Sequence, residues 1–264
     1  MSSAPGIEYR NVTVAVEEAS ARITLNRPDK RNALSLELME EVIAALRQVS
    51  AVDFVRAMVI EGAGPAFSAG HDLSEMIDRD EAFFAHLFEV CTVMMETIHE
   101  LPQPVIAQVH GMATAAGCQL VAACDLAVAA EGARFGTPGV KIGLFCSTPM
   151  VPVSRAVGRK RAMEMLLTGE TIDAVTALDW GLVNRVVPAS ELDAAVATFV
   201  DAIARSSSYT VAIGKRAFYD QVDQAEHDAY EQARSVMTEN ALAGDAQEGM
   251  SAFLQKRPPT WTGR

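Results

Sequence analysis

The amino-acid sequence predicts an α/β fold followed by a helical C-terminal region. Short apolar runs typical of buried strands alternate with amphipathic helical patterns over the first 190 residues, and beyond Pro188 the pattern is almost wholly helical. Two of the apolar runs lead directly into turns that contain glycine. At 264 residues the chain is long enough for one large domain with an appended segment.

The first half of the chain is built from strand and helix patterns in turn. Residues 22–26 are strand-like and end before a proline, which cannot donate a hydrogen bond to a sheet. Apolar residues then recur at three- and four-residue spacing over 36–49, which predicts a helix with Ser35 as its N-cap. Residues 57–60 and 105–109 are short apolar runs of the kind found in buried strands, and each is followed by one of the glycine-containing turns.

A further helix is predicted between the second turn and the C-terminal region. It covers residues 161–170, where apolar residues recur at helical spacing. The spacing places Met163, Leu166 and Leu167 in the core. We assign no chemistry to these side chains.

The helical C-terminal region includes residues 211–218 and a longer helix over 226–243. No strand pattern is evident in this part of the chain. We therefore divide the chain into a core, residues 1–195, that carries the site, and a helical oligomerisation region, residues 196–264. The boundary is gradual and lies near 190–205.

Composition excludes several classes of function. The formal net charge of −12 disfavours general binding to nucleic acid or to anionic membranes, and no apolar run reaches the ~18–20 residues of a transmembrane helix. The N-terminal sequence lacks the charged and apolar regions of a secretory signal, and the cysteines show no paired metal-ligand spacing. We therefore expect reduced thiols, no metal site and a cytoplasmic location. The cysteines are Cys91, Cys118, Cys124 and Cys146.

Two glycine-containing turns carry the main functional signal. They occupy residues 67–73, with the sequence FSAGHDL, and 111–119, with the sequence GMATAAGCQ. Each follows a strand pattern and precedes a helix pattern, so each can direct a main-chain N–H at one point in space. Two such donors form an oxyanion hole, which stabilises negative charge on a carbonyl oxygen. Small residues let a substrate approach the main chain.

Together, at this separation, the two turns resemble those of the enoyl-CoA hydratase/isomerase (crotonase) superfamily, and the resemblance runs from about Arg22 to the end of the chain. It implies a crotonase (ClpP/crotonase-type) spiral of repeated β-β-α turns. It also implies that the C-terminal helices pack subunits into a trimer or a dimer of trimers. The substrate implied is a coenzyme A thioester, with no separate cofactor.

The resemblance further implies roles for single residues in the two turns. The donors are the N–H groups of His71 and Ala116, and the helix that Ala116 opens would add positive potential at the thioester oxygen. We expect the N–H of His71, rather than its imidazole, to act. Asp72, with Glu75 three residues later, has the spacing of a helix cap and is interpreted as structural. The residues of the turns expected to lie against the substrate are Ala69, Gly70, Asp72, Leu73 and Gly117.

Two positions depart from the pattern of a hydratase. The family uses two glutamates to hold the water that adds to an enoyl-CoA double bond. One lies three residues after the second donor, where this chain has Gln119, and the other follows the proline of a Gly-x-Pro-Glu segment, where it has Gly139. An amide is too weak a base to take a proton, and glycine has no side chain. We therefore expect slow hydration, which restoring both glutamates would accelerate.

Further candidate residues lie in the pocket loop and in basic segments. Residues 141–149 match the loop that lines the acyl pocket in the family, with Phe145 and Cys146 in its wall. Cys146 and Ser147 lie where some relatives carry other catalytic groups, but a nucleophile needs an adjacent base, so a role in pocket shape is favoured for both. Because the net charge repels coenzyme A, its phosphates need a local cluster of basic residues. The candidates are Arg27, Lys30 and Arg31, together with Phe253 and Lys256, which match residues that neighbouring subunits supply to the adenine and phosphates.

The strings TAAGCQLVA and TPGV, followed by GLFCSTP, resemble the enoyl-CoA hydratase domain-containing protein 3 branch, which lacks the glutamate pair. Three functions stay open. The first is an acyl-CoA enzyme, nominally a hydratase or isomerase, with weak or atypical hydration. The second is decarboxylation of a malonyl- or methylmalonyl-type coenzyme A thioester, which needs an oxyanion hole but less proton transfer. The third is acyl-CoA binding without catalysis.

Overall fold

The computed structural model describes residues 9–264, over which ten strands and ten α-helices are formed. The strands are β1 (Val12–Glu17), β2 (Ser20–Leu25), β3 (Ala57–Gly62), β4 (Ala66–Ser68), β5 (Val105–Val109), β6 (Met112–Thr114), β7 (Leu126–Ala130), β8 (Arg134–Gly136), β9 (Thr171–Asp173) and β10 (Arg185–Val187). The helices are α1 (Leu36–Ser50), α2 (Glu81–Glu100), α3 (Ala116–Ala123), α4 (Met150–Val157), α5 (Arg159–Thr168), α6 (Ala174–Trp180), α7 (Leu192–Ala204), α8 (Ser208–Gln221), α9 (Glu226–Leu242) and α10 (Gly244–Gln255).

Three successive units of the chain have the order strand, strand, helix. They are β3-β4-α2, β5-β6-α3 and β7-β8 followed by α4 and α5. The first strand of each unit joins one sheet and the second joins another. The chain therefore winds as a spiral between two sheets, and the predicted α/β fold with repeated β-β-α turns is confirmed.

The two sheets are mostly parallel. The larger has the order β1-β2-β3-β5-β7-β10, in which only the β1–β2 hairpin is antiparallel. The smaller has the order β4-β6-β8-β9, with β9 antiparallel to β8. All five residues of β5 are buried, as expected for a central parallel strand covered on both faces.

The start of α1 follows the prediction. The Ser35 hydroxyl accepts a hydrogen bond from the N–H of Leu38 and so satisfies one of the free donors at the helix N-terminus. The N–H of Leu36 donates to the Glu75 carboxylate at 3.0 Å, which joins α1 to the first glycine-containing turn. Glu75 is therefore used to hold α1 rather than to complete a capping box with Asp72.

The prediction for residues 161–170 is partly wrong. In α5 the buried side chains are Ala162, Met165 and Leu166, at the spacing of one helical face. Met163 and Leu167, which we expected in the core, are exposed. Both faces of this helix carry apolar residues, so the sequence spacing alone does not show which face is turned inward.

The expected boundary at residue 195 falls inside α7. Leu192 and Val196 of this helix are buried in a cluster with Val59, Ile106 and Val128 of the larger sheet. Helix α7 therefore packs on the sheet, and the chain leaves the sheet after Ala204. Within residues 9–264 no helix has both the length and the apolarity that a bilayer span requires.

A buried ion pair fastens α8 to the core. Lys215 Nζ lies 2.6 Å from the Asp125 carboxylate and also donates to the carbonyls of Ile98 and Gln103. The Tyr219 hydroxyl donates to the other oxygen of Asp125 at 2.8 Å. Because all the donors of the ammonium group have partners, the cost of burying its charge is offset. This cluster fixes the first C-terminal helix relative to α2 and β5.

A second cluster holds the C-terminal tail on α10. The buried carboxylate of Asp245 accepts hydrogen bonds from the Ser207 hydroxyl, from the N–H and hydroxyl of Thr262, and from the N–H of Gly263. The N–H of Asp245 donates to the Arg264 carbonyl. Burial by itself would raise the pKa of Asp245, but the hydrogen bonds outweigh it and lower the pKa to about 2.

We expect Asp245→Asn to lower the free energy of unfolding by about 2 kcal/mol, because an amide cannot accept from all these donors as a carboxylate does. The wild-type stabilisation is present above the ordinary carboxyl pKa and is lost as the pH falls from about 4 to about 2. Urea unfolding at pH 7 and at pH 3 measures both effects. The control is Asp201→Asn on the exposed face of α7, which should change stability by less than about 0.5 kcal/mol. Equal effects of the two substitutions would contradict this assignment.

Candidate active site

A cavity of about 550 Å³ lies beside the two glycine-containing turns, within the size range of small-molecule sites. Its wall combines both turns with α2 and the segment 138–149, and most of it is apolar. The lining residues are Ala69, His71, Leu73, Phe88, Ala115, Ala116, Pro138, Gly139, Lys141, Ile142, Leu144, Phe145, Cys146, Ser147, Thr148 and Pro149.

Two glycines bring the turns together. A Cβ on Gly70 would lie 2.9 Å from the Thr114 carbonyl oxygen and 3.2 Å from the Ala116 nitrogen, and the φ of Gly70 is +88°. A Cβ on Gly117 would lie 2.3 Å from the Ser68 carbonyl oxygen. Real Cβ atoms do not approach main-chain atoms so closely, so any side chain here would separate the turns. The glycines are therefore needed for contact between the turns, and not only for access of a substrate.

The main-chain N–H of His71 has no acceptor in the described protein, because its turn forms a parallel bridge with Leu34, just before α1. The N–H of Leu34 donates to the Gly70 carbonyl at 2.7 Å, and the N–H of Asp72 donates to the Leu34 carbonyl at 3.1 Å. In such a parallel bridge the N–H of the residue between, His71, points to the opposite side. Among the described residues it donates to no protein group.

The N–H of Ala116 is free for a different reason. Ala116 is the first residue of α3, and the first N–H groups of a helix have no intrahelical acceptor. The preceding residue, Ala115, has φ 50° and ψ −120°, which an alanine adopts only at an energetic cost. This conformation turns the chain sharply from β6 into α3. The helix dipole adds positive potential beside the free N–H.

The imidazole of His71 has an unusual environment. Neither ring nitrogen has a hydrogen-bond partner in the described structure, and both are buried. The ring lies edge-on to Phe88, with 5.6 Å between ring centroids. Burial lowers the pKa of His71, and the nearby Leu34 carbonyl offsets part of this without accepting a hydrogen bond. The side chain is therefore neutral at pH 7.

Two other titratable groups line the cavity. Burial raises the pKa of the Cys146 thiol, so this thiol stays protonated at neutral pH and is a poor nucleophile. Lys141 pairs with Glu170 at 2.7 Å. In the described part of the chain, no group of three or more His, Cys, Asp or Glu side chains could hold a metal ion. The lining contains no Asp or Glu.

Residues 15–264 match the enoyl-CoA hydratase/isomerase family. The chain belongs to this family. It is 43% identical over 256 residues to the mitochondrial enoyl-CoA hydratase domain-containing protein 3 of Mus musculus, covering 97% of this chain and 85% of that protein. The crystal structure of the human enoyl Coenzyme A hydratase domain-containing protein 3 matches with a TM-score of 0.93 and 43% identity, covering 96% of this chain and 100% of that one. An enoyl-CoA hydratase structure from Mycobacterium smegmatis matches with a TM-score of 0.93 and 46% identity, covering 96% and 99%.

These matches confirm the crotonase superfamily and the domain-containing protein 3 branch, and they correct one expectation. The expected cytoplasmic location is wrong, since the relatives from Mus musculus, Xenopus laevis and Homo sapiens are all named as mitochondrial. Their names point to mitochondria. Reduced cysteines show only that a compartment is not oxidising, so composition could not separate the two locations.

Gln119 and Gly139, which stand where the family has its two glutamates, have different positions relative to the cavity. Gln119 is 3% exposed, does not line the cavity, and its amide oxygen faces the Cys91 thiol at 3.8 Å. Gly139 does line the cavity, but a Cβ there would lie 2.0 Å from the Leu144 carbonyl oxygen. A glutamate at residue 139 therefore cannot be added without moving the loop. Restoring both glutamates therefore requires the loop to move as well as the two substitutions, and the effect of the pair on hydration stays a prediction.

Not all of the basic residues expected to bind the phosphates of coenzyme A are free to do so. The Arg27 guanidinium lies 2.9 Å from the Asp72 carboxylate and also donates to the Ala33 carbonyl, so its charge is used to hold the first turn. Asp72 also caps the short 3-10 turn Leu73–Glu75, as predicted. Lys30 and Arg31 are exposed at the surface.

The cavity brings together some of the predicted residues and leaves others outside its wall. Those in the wall are His71, Ala116, Gly139, Ala69, Leu73, Phe145 and Cys146. Those outside it are Gln119, Arg27, Lys30, Arg31, Gly70, Asp72, Gly117, Phe253 and Lys256. Phe253 is 84% exposed, near the end of α10. No prediction from the sequence included Phe88, which also lines the cavity. An apolar residue of a helix has the same spacing whether it faces the core or a cavity.

We expect Gly139→Ala to lower the free energy of unfolding by about 1–3 kcal/mol, because the new methyl group overlaps the Leu144 carbonyl. Gly132→Ala is the matched control. A Cβ there meets no atom within 4 Å, so it should leave stability unchanged or raise it by up to about 1 kcal/mol. Thermal and urea unfolding of both variants measure the difference. Equal stability of the two variants would show that the loop moves freely.

Proposed function

We propose that this protein binds an acyl-CoA thioester with its carbonyl oxygen between the main-chain N–H groups of His71 and Ala116. The observation that carries the proposal is that both residues line one cavity and that neither N–H donates to the described protein. Membership of the enoyl-CoA hydratase/isomerase family supports the same class of substrate. Negative charge that develops on the thioester oxygen would be stabilised by the two donors and by the N-terminus of α3.

We further propose that ordinary enoyl-CoA hydration is slow in this protein. Hydration requires one group to take a proton from water and another to give a proton to the acyl chain. The cavity wall contains no carboxylate, and Gln119 lies behind it. Losing a positioned acid or base typically costs ~10²–10⁴ in rate. The two donors alone would leave a residual rate above that in water.

Decarboxylation of a malonyl-type thioester is a second candidate. One observation favours it, namely the mostly apolar cavity wall without a carboxylate. In this reaction the bond between Cα and the carboxylate carbon breaks, carbon dioxide leaves, and the electron pair forms the thioester enolate. The enolate is held by the same two N–H groups. Formation of the enolate needs no protein base, so missing glutamates matter less.

We expect the protein to bind butyryl-CoA while hydrating crotonyl-CoA far more slowly than the ~10 s⁻¹ of a median enzyme. Calorimetric titration measures binding, and loss of absorbance by the enoyl thioester measures hydration. Malonyl-CoA and methylmalonyl-CoA are tested in parallel for release of carbon dioxide. Turnover of a malonyl-type thioester supports the second candidate, and binding without turnover of any substrate supports a non-catalytic acyl-CoA protein. Hydration near ~10 s⁻¹ would refute the proposal of slow hydration.

The control for the oxyanion hole is Ala116→Pro, which removes one N–H at the first position of α3, where proline is tolerated in helices. Any turnover that the wild-type protein shows should fall ~10²–10³-fold. Circular dichroism establishes that the variant is folded. Unchanged turnover in a folded variant would show that this N–H does not bind the reacting oxygen.

We also propose that the active assembly is a trimer or a dimer of trimers, with Phe253 and Lys256 completing the coenzyme A site of a neighbouring subunit. The exposed Phe253 and Leu254 near the end of α10 support a covered surface there. Light scattering should return a mass of three or six chains of 28.3 kDa. Lys256→Ala should weaken butyryl-CoA binding, whereas Lys160→Ala, at an exposed position of α5, should not. A monomer with undiminished binding would contradict the proposal.

A further inference from the structure

We propose that Asn32 is a positioning residue for the main-chain N–H of His71. Its buried side chain fixes the short segment 31–34, and pairing with this segment sets the direction of that N–H. The inference rests on the proposed function, since it requires a thioester oxygen at the His71 N–H. Asn32 belongs to neither glycine-containing turn and lies outside the cavity wall, so it acts only through other residues.

The side chain of Asn32 is completely buried, and both ends of its amide have partners. The amide oxygen accepts a hydrogen bond from the main-chain N–H of Arg27 at 2.9 Å. The amide nitrogen donates to the carbonyls of Ala63 and Ala66, both at 2.8 Å. Two carbonyl acceptors on one side identify the nitrogen end of the amide. The side chain therefore joins the chain before α1 to the turn between β3 and β4.

The main chain of Asn32 extends this connection to both turns. The hydroxyl of Ser68, also completely buried, donates to the Asn32 carbonyl at 2.9 Å and accepts from the N–H of Gly70 at 3.3 Å. The carbonyl oxygen of Ser68 is the atom that a Cβ on Gly117 would approach to 2.3 Å. One buried serine in β4 therefore connects Asn32 to the first turn and to the start of α3.

The segment 31–34 pairs with the first turn on both sides of Asn32. The carbonyl of its first residue accepts from the N–H of Ala69 at 3.0 Å, and the N–H of its last residue donates to the Gly70 carbonyl at 2.7 Å. The His71 N–H keeps its direction only while this pairing holds. A hydrogen bond weakens steeply as its angle departs from linear, so a shift of the segment would weaken the bond to a thioester oxygen.

The backbone conformation of Asn32 guides the choice of variants. Its φ is +52°, in the left-handed region that glycine, asparagine and aspartate adopt most readily. Asn32→Gly keeps this conformation accessible and removes only the hydrogen bonds of the side chain. Asn32→Asp keeps the shape and the acceptor for the Arg27 N–H, but a carboxylate has no hydrogen to donate to the carbonyls of Ala63 and Ala66.

The test is the carbonyl stretching band of bound butyryl-CoA, isolated as the infrared difference between thioester with and without an isotopic label at the carbonyl carbon. Hydrogen bonds to the oxygen polarise the C=O bond and lower this frequency. We expect the wild-type protein to lower it below that of free butyryl-CoA in buffer, because fixed donors polarise the bond more than water does. Asn32→Gly and Asn32→Asp should keep less than about half of this shift, whereas butyryl-CoA affinity should fall less than about tenfold, the worth of one hydrogen bond.

Two controls separate positioning from stability. Asn26→Asp makes the same chemical change at an exposed position of the same segment, before Arg27, and should keep the whole shift. Asp245→Asn weakens the fold outside the cavity wall and should also keep the whole shift. A residue with a merely structural role would lower the stability to urea without moving the infrared band.

Ser68→Ala decides the question if neither Asn32 variant folds, since it removes the hydrogen bond to the Asn32 carbonyl and should also reduce the shift. An undiminished shift in a folded Asn32 variant, or in Ser68→Ala when neither of them folds, overturns this inference and leaves the proposed function standing. A wild-type protein that binds no butyryl-CoA, or binds it without a shift of the carbonyl band, overturns both.

Discussion

The site depends on the close contact between the two glycine-containing turns. Gly70 lies so near Thr114 and Ala116 that no side chain fits between them, and Gly117 lies equally close to Ser68. This contact fixes the first residue of α3 relative to the turn that contains His71. The spiral supplies the two turns from successive repeats, because β4 and β6 are neighbours in the smaller sheet. His71 and Ala116, whose main-chain N–H groups have no acceptor in the described protein, thereby line one cavity.

The chemistry available in that cavity is limited by what surrounds the donors. The chain between Pro138 and Pro149 folds over Gly139, so that the Leu144 carbonyl occupies the space in which a side chain at residue 139 would begin. Gln119 points instead toward Cys91, within the core. The wall is left mostly apolar and without a carboxylate, and the imidazole of His71 has no hydrogen-bond partner in the described structure. Main-chain donors beside an apolar wall interact more strongly with a bound negative charge than they would in water, because the local dielectric is lower.

The C-terminal helices are attached by buried charges rather than by a large apolar core. Lys215 and Asp125 fasten α8 to the sheet, and Asp245 holds the tail on α10. Residues such as Phe253 and Leu254 meanwhile remain at the surface. Buried polar clusters of this kind specify one arrangement of the helices, because any other would leave charged groups without partners.

The sequence by itself determined the α/β class, the strand and helix patterns on either side of the two turns, the cap at Ser35 and the helical C-terminal region, because these depend on local spacing and residue type. It also determined that two expected carboxylates are missing. Only the tertiary structure decided that Gly139 has no room for a side chain, that Arg27 is bound to Asp72, and that Phe88 faces the cavity. Each of these depends on a contact between residues far apart in sequence, and a pattern within one segment cannot show which distant segment it will meet.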